Sequence, residues 1–553
     1  MIGWFVRAGA ALGVVLVIVW IFRVELFLGL VGMGVAATRT IGPHQEIEWQ
    51  RGPDVATTPA SERLPNIVLI LADDMGWNDV STQGGGAGRG TVKTPHIDAI
   101  AQSGVNLTWG YSGNGSCAPS RAAILSGRYG TRFGFEFTPT PAAMAPVMQF
   151  VIDADPERKR KPVPSNTKGE RLPVEELGMP TSEVTLAETL KTAGYHNVHI
   201  GKWHVGRSHG MDPNAQGFDE SLMHEGPLFL PTDDPRVVNS RQKFDAIDRF
   251  LWAVSNFSVS NNGGPLFEPP DYLTDYFTDE AVKVIEANRH RPFFLYLAHW
   301  AIHTPLQALR EDYDAFPQIE SHTERTYAGM IRSLDRSVGR VLDALRAYGL
   351  EENTLVIFTS DNGGAGYLGL PHVNEPFRGW KLTFFEGGVH VPFMLSWPAK
   401  IPPGQTYHEP VHHFDIYATA AAAAGAALPT DRKMDGVDLL PFFQGKADGV
   451  PHETLFWTQD HYRVVLHRGW KLTKNGPADE FVWLFDLNED PTEQHNLAQS
   501  RPEKVAELND LLDAHLAEQV PPLWPSVAAM PIAIDKHLNE PEEADDEFVL
   551  YPN

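Results

Sequence analysis

The chain has 553 residues, 42% of them hydrophobic, which is typical of a globular protein, and its length predicts two or more domains. Its formal net charge of −25 at pH 7 leaves no broad basic face and excludes a nucleic-acid partner. The single cysteine, Cys117, excludes an internal disulfide and leaves the redox compartment open.

The N-terminal segment, residues 1–38, predicts a membrane anchor. Two apolar runs, residues 8–22 and 26–35, are separated by Arg-Val-Glu, and Arg7 lies where a positively charged flank is expected. The alternative is a cleaved signal peptide, because residues 35–37 offer a small-residue cleavage site. In both cases we expect the rest of the chain outside the cytoplasm, in the periplasm or at the cell exterior.

Residues 39–63 are polar, contain three prolines and are typical of a linker. Residues 64–440 are then expected to form the main domain. Within it, residues 138–180 are rich in proline and charge, which predicts a long surface loop that shapes substrate access.

Buried strands alternate with helices through the main domain. Residues 66–72 form a continuous apolar run, typical of a strand buried on both faces of a parallel sheet. Similar runs follow at 197–200, 293–298, 354–359 and 391–396. Helices are expected at 95–103, 185–193, 275–287, 327–345 and 414–427. This alternation predicts an α/β fold, with a mostly parallel sheet sandwiched by helices.

A smaller C-terminal α+β subdomain is expected over residues 441–530. Short strands at 463–467, 469–472 and 481–485 are separated by turns, which predicts an antiparallel sheet, and residues 505–516 predict an amphipathic helix. Residues 531–553 form an acidic tail, expected to be mobile or to lie on a neighbouring surface.

Cys117 begins the run Cys-Ala-Pro-Ser-Arg. Pro119 suits the first turn of a helix, residues 120–126 have a helical pattern, and Gly127 is a plausible end. Cys117 is therefore expected at a helix N-terminus, where free N–H groups favour an anion, with Arg121 one turn further on. A small buried apolar cysteine is the alternative, and the local sequence leaves both interpretations open.

Polar residues follow the predicted strands. They are Asp73, Asp74, Lys202, His204, His303, Asp361 and Asn362. Open α/β sheets bind ligands beyond the carboxyl ends of their strands. The acidic and amide side chains would supply up to four oxygen ligands, which suit Ca²⁺ or Mg²⁺ and would not select zinc. Each cluster alone also has an ordinary interpretation as a helix cap or a turn.

Two lysines add positive charge. Lys202 and His204 are two residues apart, so an extended backbone would direct both to one face. Lys381 lies in a glycine-punctuated segment that predicts a loop. Taken singly, these side chains are ordinary surface residues.

The motifs together resemble the type I sulfatases of the alkaline phosphatase-like superfamily. The most specific block is Cys-Ala-Pro-Ser-Arg followed by Leu-Ser-Gly-Arg at 125–128. Further blocks match in the family's order at 201–204, 359–363, 385–389, 486–491 and 496–497. The resemblance covers about residues 65–500 and leaves out the N-terminal segment, the 138–180 insertion and the tail.

The resemblance implies a sulfatase that hydrolyses sulfate esters to an alcohol and sulfate. It implies that a formylglycine-generating enzyme converts Cys117 to Cα-formylglycine, whose hydrate attacks sulfur. It also implies a calcium ion, with the residue at 117 among its ligands. The other implied metal ligands are Asp73, Asp74, Asp361 and Asn362.

The resemblance also implies roles for the cationic and histidine side chains. Arg121 would support the diol, and His204 would take a proton as sulfate leaves. Lys202, His303 and Lys381 would bind sulfate, with His303 or Lys381 protonating the leaving oxygen.

Rival functions remain. The same superfamily includes phosphonate and phosphodiester hydrolases that can share the formylglycine motif. A catalytically silent calcium-binding surface protein is a second rival, against which the joint presence of Cys117, Arg121, Lys202 and His204 counts. A membrane phosphoethanolamine transferase would usually need several membrane spans and a threonine nucleophile, and neither is evident.

The substrate is expected to be a small-molecule or carbohydrate sulfate ester, whose identity the loops at 138–180 and 207–270 leave open.

Overall fold

The computed structural model describes residues 20, 22–59, 62–141, 144–155, 158–164 and 172–553. Much of the predicted membrane anchor or signal segment, residues 1–38, lies outside these described residues. The first described helix, α1 (Arg23–Thr38), has 16 residues. In the described ranges, no helix combines the length and the apolar character needed to cross a membrane.

The helices and strands of the described chain are as follows. After α1, the helices are α2 (Ala87–Gly90), α3 (Pro95–Ser103), α4 (Cys117–Ser126), α5 (Met144–Asp153), α6 (Leu186–Thr192), α7 (Ala246–Ala253), α8 (Leu273–Asn288), α9 (Arg310–Asp314), α10 (His322–Ala347), α11 (Glu386–Val389), α12 (Asp415–Ala424), α13 (Leu440–Phe443) and α14 (Pro502–Leu516). The strands are β1 (Asn66–Ala72), β2 (Val105–Leu107), β3 (Gly110–Tyr111), β4 (Val163–Pro164), β5 (His196–Gly201), β6 (Glu220–His224), β7 (Val237–Ser240), β8 (Val259–Asn261), β9 (Leu266–Phe267), β10 (Phe293–Ala298), β11 (Leu306–Leu309), β12 (Thr354–Ser360), β13 (Phe393–Ser396), β14 (Gln405–Tyr407), β15 (Val411–His412), β16 (Thr454–Gln459), β17 (Tyr462–His467), β18 (Trp470–Asn475), β19 (Phe481–Asp486), β20 (Ala528–Ala533) and β21 (Phe548–Pro552).

The largest sheet has ten strands in the order β14-β2-β13-β12-β1-β10-β5-β6-β8-β9. Its centre, from β12 to β6, is parallel. Towards the edges, β13 pairs antiparallel with β12, and β8 pairs antiparallel with β6. The predicted parallel α/β arrangement is confirmed at the centre, and the antiparallel edge strands make the sheet as a whole mixed.

Helices cover both faces of this sheet, as predicted. Along β1, Val68 and Ile70 belong to a core shared with α8 and α10, because successive side chains of a strand point to opposite faces. Ile67 and Leu69 belong to the opposite core, which includes side chains of α4, α6 and α12. All seven residues of β1 are buried, which explains its uninterrupted apolar sequence.

The predicted antiparallel sheet near the C-terminus is also present. Strands β16, β17, β18 and β19 pair antiparallel in sequence order, and α14 packs against one face through Leu508 and Leu512. A further sheet joins β20 to β21 and to β4. The segment predicted as an acidic tail therefore contains β21, which pairs antiparallel with β20.

Two segments predicted as loops contain regular elements. The described part of the 138–180 insertion includes α5, whose Val147, Met148 and Val151 pack with side chains of α1 and α7, so the prediction of a long surface loop was wrong there. Residues 207–270 were predicted as mostly loop with short helices; they contain the helix α7 and, in addition, the four strands β6 to β9. These strands are short and depend on sheet pairing, which a local sequence pattern does not show.

Candidate active site

The candidate site lies at the carboxyl ends of the central strands. Asp73 directly follows β1, and Asp361 directly follows β12, which pairs with β1 in register up to Ala72 and Ser360. The backbone N–H of Asp74 donates to Asp361 Oδ1 at 3.2 Å. Lys202 follows β5 and His303 lies shortly after β10, so four neighbouring parallel strands deliver polar residues to one edge.

Cys117 is the first residue of α4, as the sequence predicted for a helix N-terminus. Ser116 before it is extended, and Gly127 ends the helix with a φ of 67°, a conformation that glycine tolerates best. The Cys117 Sγ atom lies 3.5 Å from Asp73 Oδ1 and 3.7 Å from Asp74 Oδ1. Cys117 is 4% exposed, so its thiol faces the carboxylates in a nearly closed environment.

The loop before Cys117 is held against the segment that carries Lys381. The backbone N–H of Leu382 donates to Gly115 O at 2.7 Å. A Cβ atom at Gly115 would lie 2.5 Å from Thr383 O, so only glycine permits this approach. The side chain of Asn114 accepts hydrogen bonds from Ser116 and fixes the turn. These contacts bring two distant segments to the same site.

Arg121 joins three of the strand ends. Its Nε and Nη2 atoms lie 2.9 and 2.8 Å from Asp361 Oδ2, and its Nη2 atom lies 3.3 Å from Asp73 Oδ2. Its Nη1 atom donates to the backbone oxygen of Lys202 at 2.8 Å. The guanidinium is fully buried, and the planar fork of arginine suits such a set of fixed acceptors.

Two buried lysines neutralise the two acidic residues that follow β1. Lys202 Nζ lies 2.6 Å from Asp73 Oδ2, and Lys381 Nζ lies 2.7 Å from the Asp74 carboxylate. The Asp74 carboxylate holds the pKa of Lys381 well above its usual range against the opposing effect of burial. Lys381 therefore stays charged, and a second anion that enters the site meets a fixed ammonium group.

His303 lies beside Lys381. Its Nδ1 atom is hydrogen-bonded to the Thr304 carbonyl, so Nδ1 carries the proton and Nε2 faces Lys381 Nζ at 3.3 Å. The Nε2 atom is also 3.5 Å from Asp74 Oδ2. Burial lowers the pKa of His303 well below its usual range, and the charge of Lys381 adds to that effect.

His204 lines the same cavity as Cys117 and Lys202 but not in the way predicted. Its φ is 66°, so the backbone between Lys202 and His204 is not a simple extended segment. Its Nδ1 atom is buried and has no hydrogen-bond partner. Burial lowers the pKa of His204 well below its usual range, as does the charge of Lys202, so the imidazole is neutral.

Crowding of carboxylates changes the protonation of the site. Burial and the nearby Asp361 charge together raise the pKa of Asp73 to about 7, against the opposing charges of Lys202 and Arg121. Burial likewise raises the pKa of the Cys117 thiol well above its usual range, and Asp361 again contributes. The helix N-terminus therefore does not make this thiol a thiolate, and unmodified Cys117 is a poor nucleophile.

The donor set fits a hard divalent cation. The Oδ1 atom of Asn362 is buried without a hydrogen-bond partner, while its Nδ2 atom donates to Asp74 Oδ1 at 2.9 Å. Ligand atoms of Asp73, Asp74, Cys117 and His303 lie within 4.8 Å of one another. Carboxylate and amide oxygens dominate this set, which suits Ca²⁺ or Mg²⁺. A cation here would stabilise the crowded carboxylates and satisfy the Asn362 oxygen.

All the residues predicted for the site meet in the structure. The ones placed around the Cys117 side chain or in the wall of its cavity are Asp73, Asp74, Arg121, Lys202, His204, His303, Asp361, Asn362 and Lys381. They come from segments up to 308 positions apart, Asp73 to Lys381, which explains why no local pattern marks them as one site.

Two aromatic residues were missed. The Tyr367 hydroxyl donates to Asp74 Oδ2 at 2.9 Å and accepts from Lys381 Nζ at 3.0 Å. Trp300 stacks on His303 with ring centroids 4.0 Å apart and lies under Lys202 Nζ at 4.8 Å. Trp300 directly precedes the Ala-Ile-His run after β10, so its position near a predicted strand end could have identified it as a site residue. No sequence pattern marks Tyr367 in this way.

The site opens into a cavity of about 620 Å³. Cys117, Lys202, His204, His303, Tyr367 and Lys381 line its inner end. The remaining walls come from α5, α7 and the last residues of the chain, including Tyr551. A substrate with an anionic end would therefore bury that end among the cations.

Known proteins resemble this chain along most of its length. The family model described as Sulfatase matches residues 65–426, and the model described as N-sulphoglucosamine sulphohydrolase, C-terminal, matches residues 379–520. The N-acetylgalactosamine-6-sulfatase of Mus musculus is 35% identical over 384 residues, covering 68% of this chain and 66% of the mouse protein. The match thus spans slightly less than two thirds of that relative.

Two further relatives are covered more fully. The steryl-sulfatase of Mus musculus is 32% identical, with 83% of each chain covered. A solved structure described as Ps i-CgsB in complex with k-i-k-neocarrahexaose has a TM-score of 0.67 and 30% identity, covering 84% of this chain and 95% of that one.

Proposed function

Because this chain belongs to the type I sulfatases of the alkaline phosphatase-like superfamily, we propose that it is a sulfuric ester hydrolase that releases an alcohol and sulfate. The observation that carries the proposal is the burial of Cys117 between Asp73 and Asp74, at the inner end of a cavity that Lys202 and Lys381 also line. A cavity with fixed ammonium groups at its closed end suits an anionic ester group.

We propose that Cys117 is converted to Cα-formylglycine by a maturation enzyme, and that Asp73, Asp74, Asp361 and Asn362 hold a calcium ion. The hydrated aldehyde would supply the attacking oxygen, and the ion would supply positive charge beside the sulfate group. The buried oxygen of Asn362 and the raised pKa of Asp73 support a cation at this position. The raised pKa of the Cys117 thiol supports a nucleophile other than sulfur.

The remaining side chains have separate tasks. Lys202 and Lys381 bind the sulfate oxygens, because each presents an ammonium group to the cavity beside its partner carboxylate. Lys381 also donates a proton, or a hydrogen bond, to the leaving oxygen. His303 holds Lys381 rather than acting as the second donor that the resemblance implied, because its Nδ1 proton is bonded to the Thr304 carbonyl and its Nε2 atom faces the Lys381 ammonium group. His204 is neutral and accepts a proton during release of sulfate. Arg121 fixes the carboxylate of Asp73, which faces residue 117, and the carboxylate of Asp361.

The direct test is expression of the protein together with a formylglycine-generating enzyme. We expect peptide mass spectrometry to show an aldehyde in the Cys117 peptide and aryl sulfate turnover that Cys117→Ala abolishes. Full activity of Cys117→Ala, with only unmodified thiol in the wild type, would exclude this mechanism. Paired aryl sulfate and aryl phosphate esters separate a sulfatase from a phosphonate or phosphodiester hydrolase.

We also propose that the N-terminal segment anchors the protein to a membrane, with the site outside the cytoplasm. In support, α1 and the residue before it leave large apolar side chains exposed, among them Phe22, Leu26, Leu30 and Met33. Fractionation of cells that express the full chain tests this. We expect the protein in membranes, released by detergent and not by high salt; release by salt alone would contradict an anchor.

A further inference from the structure

The outer part of the active-site cavity is apolar. Two helices of neighbouring segments form much of its wall, α5 from the 138–180 insertion and α7 from the 207–270 segment. The wall residues on these helices are apolar except for Gln149, whose amide donates to Asp153 at 2.8 Å; the apolar ones are Met144, Met148, Ile152, Ile247, Phe250 and Leu251. Ile247, Phe250 and Leu251 are half-buried, so each keeps apolar surface exposed towards the cavity.

The helices that carry this wall are held in place by packing within the fold. Helices α1, α5 and α7 share a small hydrophobic core of their own, separate from the cores of the main sheet, through residues such as Leu28, Val151 and Ala246. The side chains facing the cavity are therefore held by packing from behind. The apolar surface is a stable part of the site.

Among the charged side chains that line the cavity near this wall, Arg39, Arg207 and Glu225 contact one another, whereas Glu175 is exposed. Arg207 forms a short ion pair with Glu225, and Glu225 also accepts from Ser260 Oγ at 2.9 Å. Arg39 donates to the backbone oxygen of Glu225. These groups are engaged with one another and leave few free hydrogen-bonding partners for a ligand lying along α5 and α7.

We propose that the preferred substrate is the sulfate ester of a bulky, largely hydrocarbon alcohol, whose body lies against α5 and α7 while its sulfate group lies at Lys202 and Lys381. A sugar ring carries hydroxyl groups at most of its carbons, and each loses hydrogen bonds to water when it lies against methionine, isoleucine or phenylalanine. A hydrocarbon body loses none and buries apolar area. The inference rests on the proposed sulfatase function and adds the chemical class of the alcohol.

Three sulfate esters distinguish this inference from the function on which it rests. They are 4-nitrophenyl sulfate as a small reporter, estrone sulfate as a hydrocarbon ester, and N-acetylgalactosamine 6-sulfate as a sugar ester. We expect kcat/KM for estrone sulfate to exceed that of the sugar ester by about tenfold or more. An equal or higher value for the sugar ester, with 4-nitrophenyl sulfate hydrolysed, would overturn the inference. Failure to hydrolyse any of the three would count against the sulfatase function itself.

Substitutions in the cavity wall test whether the preference for a hydrocarbon ester comes from contacts with α5 and α7. Phe250→Ala is expected to lower kcat/KM for estrone sulfate by about tenfold and to leave that for 4-nitrophenyl sulfate almost unchanged. Leu251→Gln, at a half-buried cavity residue outside the core of α1, α5 and α7, adds polarity and is expected to act in the same direction; it tests the inference if Phe250→Ala fails to fold. Phe481→Ala is the matched control, because Phe481 is a half-buried phenylalanine on β19 outside the cavity. If both cavity variants leave the ratio of the two rates unchanged, the inference is wrong.

Discussion

The ammonium group of Lys471, on β18, lies 2.7 Å from the carboxylate of Glu386, on α11, and both side chains are buried. Glu493 completes the cluster at 2.9 Å from the same ammonium group, and its carboxylate also accepts from the backbone N–H of Glu386. The C-terminal antiparallel sheet is thereby fixed to the segment that begins five residues after Lys381.

Lys471→Met is expected to lower the free energy of unfolding by about 3–5 kcal/mol, because two buried carboxylates lose their counter-charge. Urea unfolding of the wild type and the variant measures this. Lys474→Met on the same strand is the control, since its ion pair with Asp479 is partly exposed and is expected to contribute less than about 1 kcal/mol. Equal losses of unfolding free energy in Lys471→Met and Lys474→Met would show that the buried cluster stabilises the fold no more than a partly exposed ion pair does.

Loss of the Lys381 ammonium group should slow the chemical step. Lys381→Met is expected to lower kcat by roughly 10²–10³-fold, the range found when one stabilising donor is removed from a transition state. Steady-state kinetics on an aryl sulfate check this, with Lys400→Met, an exposed lysine after β13, as control. A kcat close to that of the wild type would remove Lys381 from the mechanism.

Calcium should stabilise the folded protein through Asn362. At a calcium concentration of a hundred times Kd, the gain in stability is expected to be about 2.7 kcal/mol, visible as a rise in Tm that a chelator reverses. Asn362→Ala is expected to shift the calcium dependence to higher concentrations. Asn106→Ala is the matched control, because Asn106 is also a buried amide whose oxygen lacks a hydrogen-bond partner, but it lies on β2. An unchanged calcium dependence in Asn362→Ala would contradict the proposed ligand set.

Acid should destabilise the protein partly through His515. Its ring stacks on Phe456 at 3.9 Å, and burial lowers the pKa of His515 to about 3. In the unfolded chain the pKa is about 6.5, so between these values the unfolded state binds more protons and the free energy of unfolding falls as the pH falls. The stability that the neutral ring provides is complete above about pH 6.5 and is lost towards pH 3.

His515→Phe is expected to reduce that slope by up to about 1.4 kcal/mol per pH unit between roughly pH 6 and pH 4. Denaturant unfolding at several pH values measures it. His495→Phe, at a largely exposed position, should leave the slope unchanged. A slope in His515→Phe equal to that of the wild type would mean that His515 does not contribute.

The parallel centre of the sheet was predictable because β1, β10 and β12 are buried on both faces and carry unbroken apolar runs. The polar residues directly after these runs were predictable as neighbours, because parallel strands have their carboxyl ends at the same edge of the sheet. Helix α4 was predictable from Pro119 and Gly127, which mark its two ends.

Other parts of the site depend on contacts that no local pattern encodes. Tyr367 reaches Asp74 from a short 3₁₀ turn, Gly366–Leu368, that is 293 positions away along the chain. Helix α5 is held by α1 and α7, and β21 is held by β20, so each owes its conformation to a partner distant in sequence. The φ of His204 likewise follows from tertiary packing, since nothing in Gly-Lys-Trp-His requires a left-handed residue.

Cys117 is buried in the folded protein, so its side chain is freely accessible only until the segments that enclose it have been synthesised and folded. Asp361 and Lys381, which help to enclose it, are 244 and 264 residues further along the chain and therefore leave the ribosome later. At a synthesis rate of about 5–20 residues per second, that delay is roughly 10–50 s. The maturation enzyme that we propose for Cys117 would have this interval, plus the time to fold, in which to reach the side chain. Folding that outpaces modification would trap a chain with the right architecture and an inert thiol.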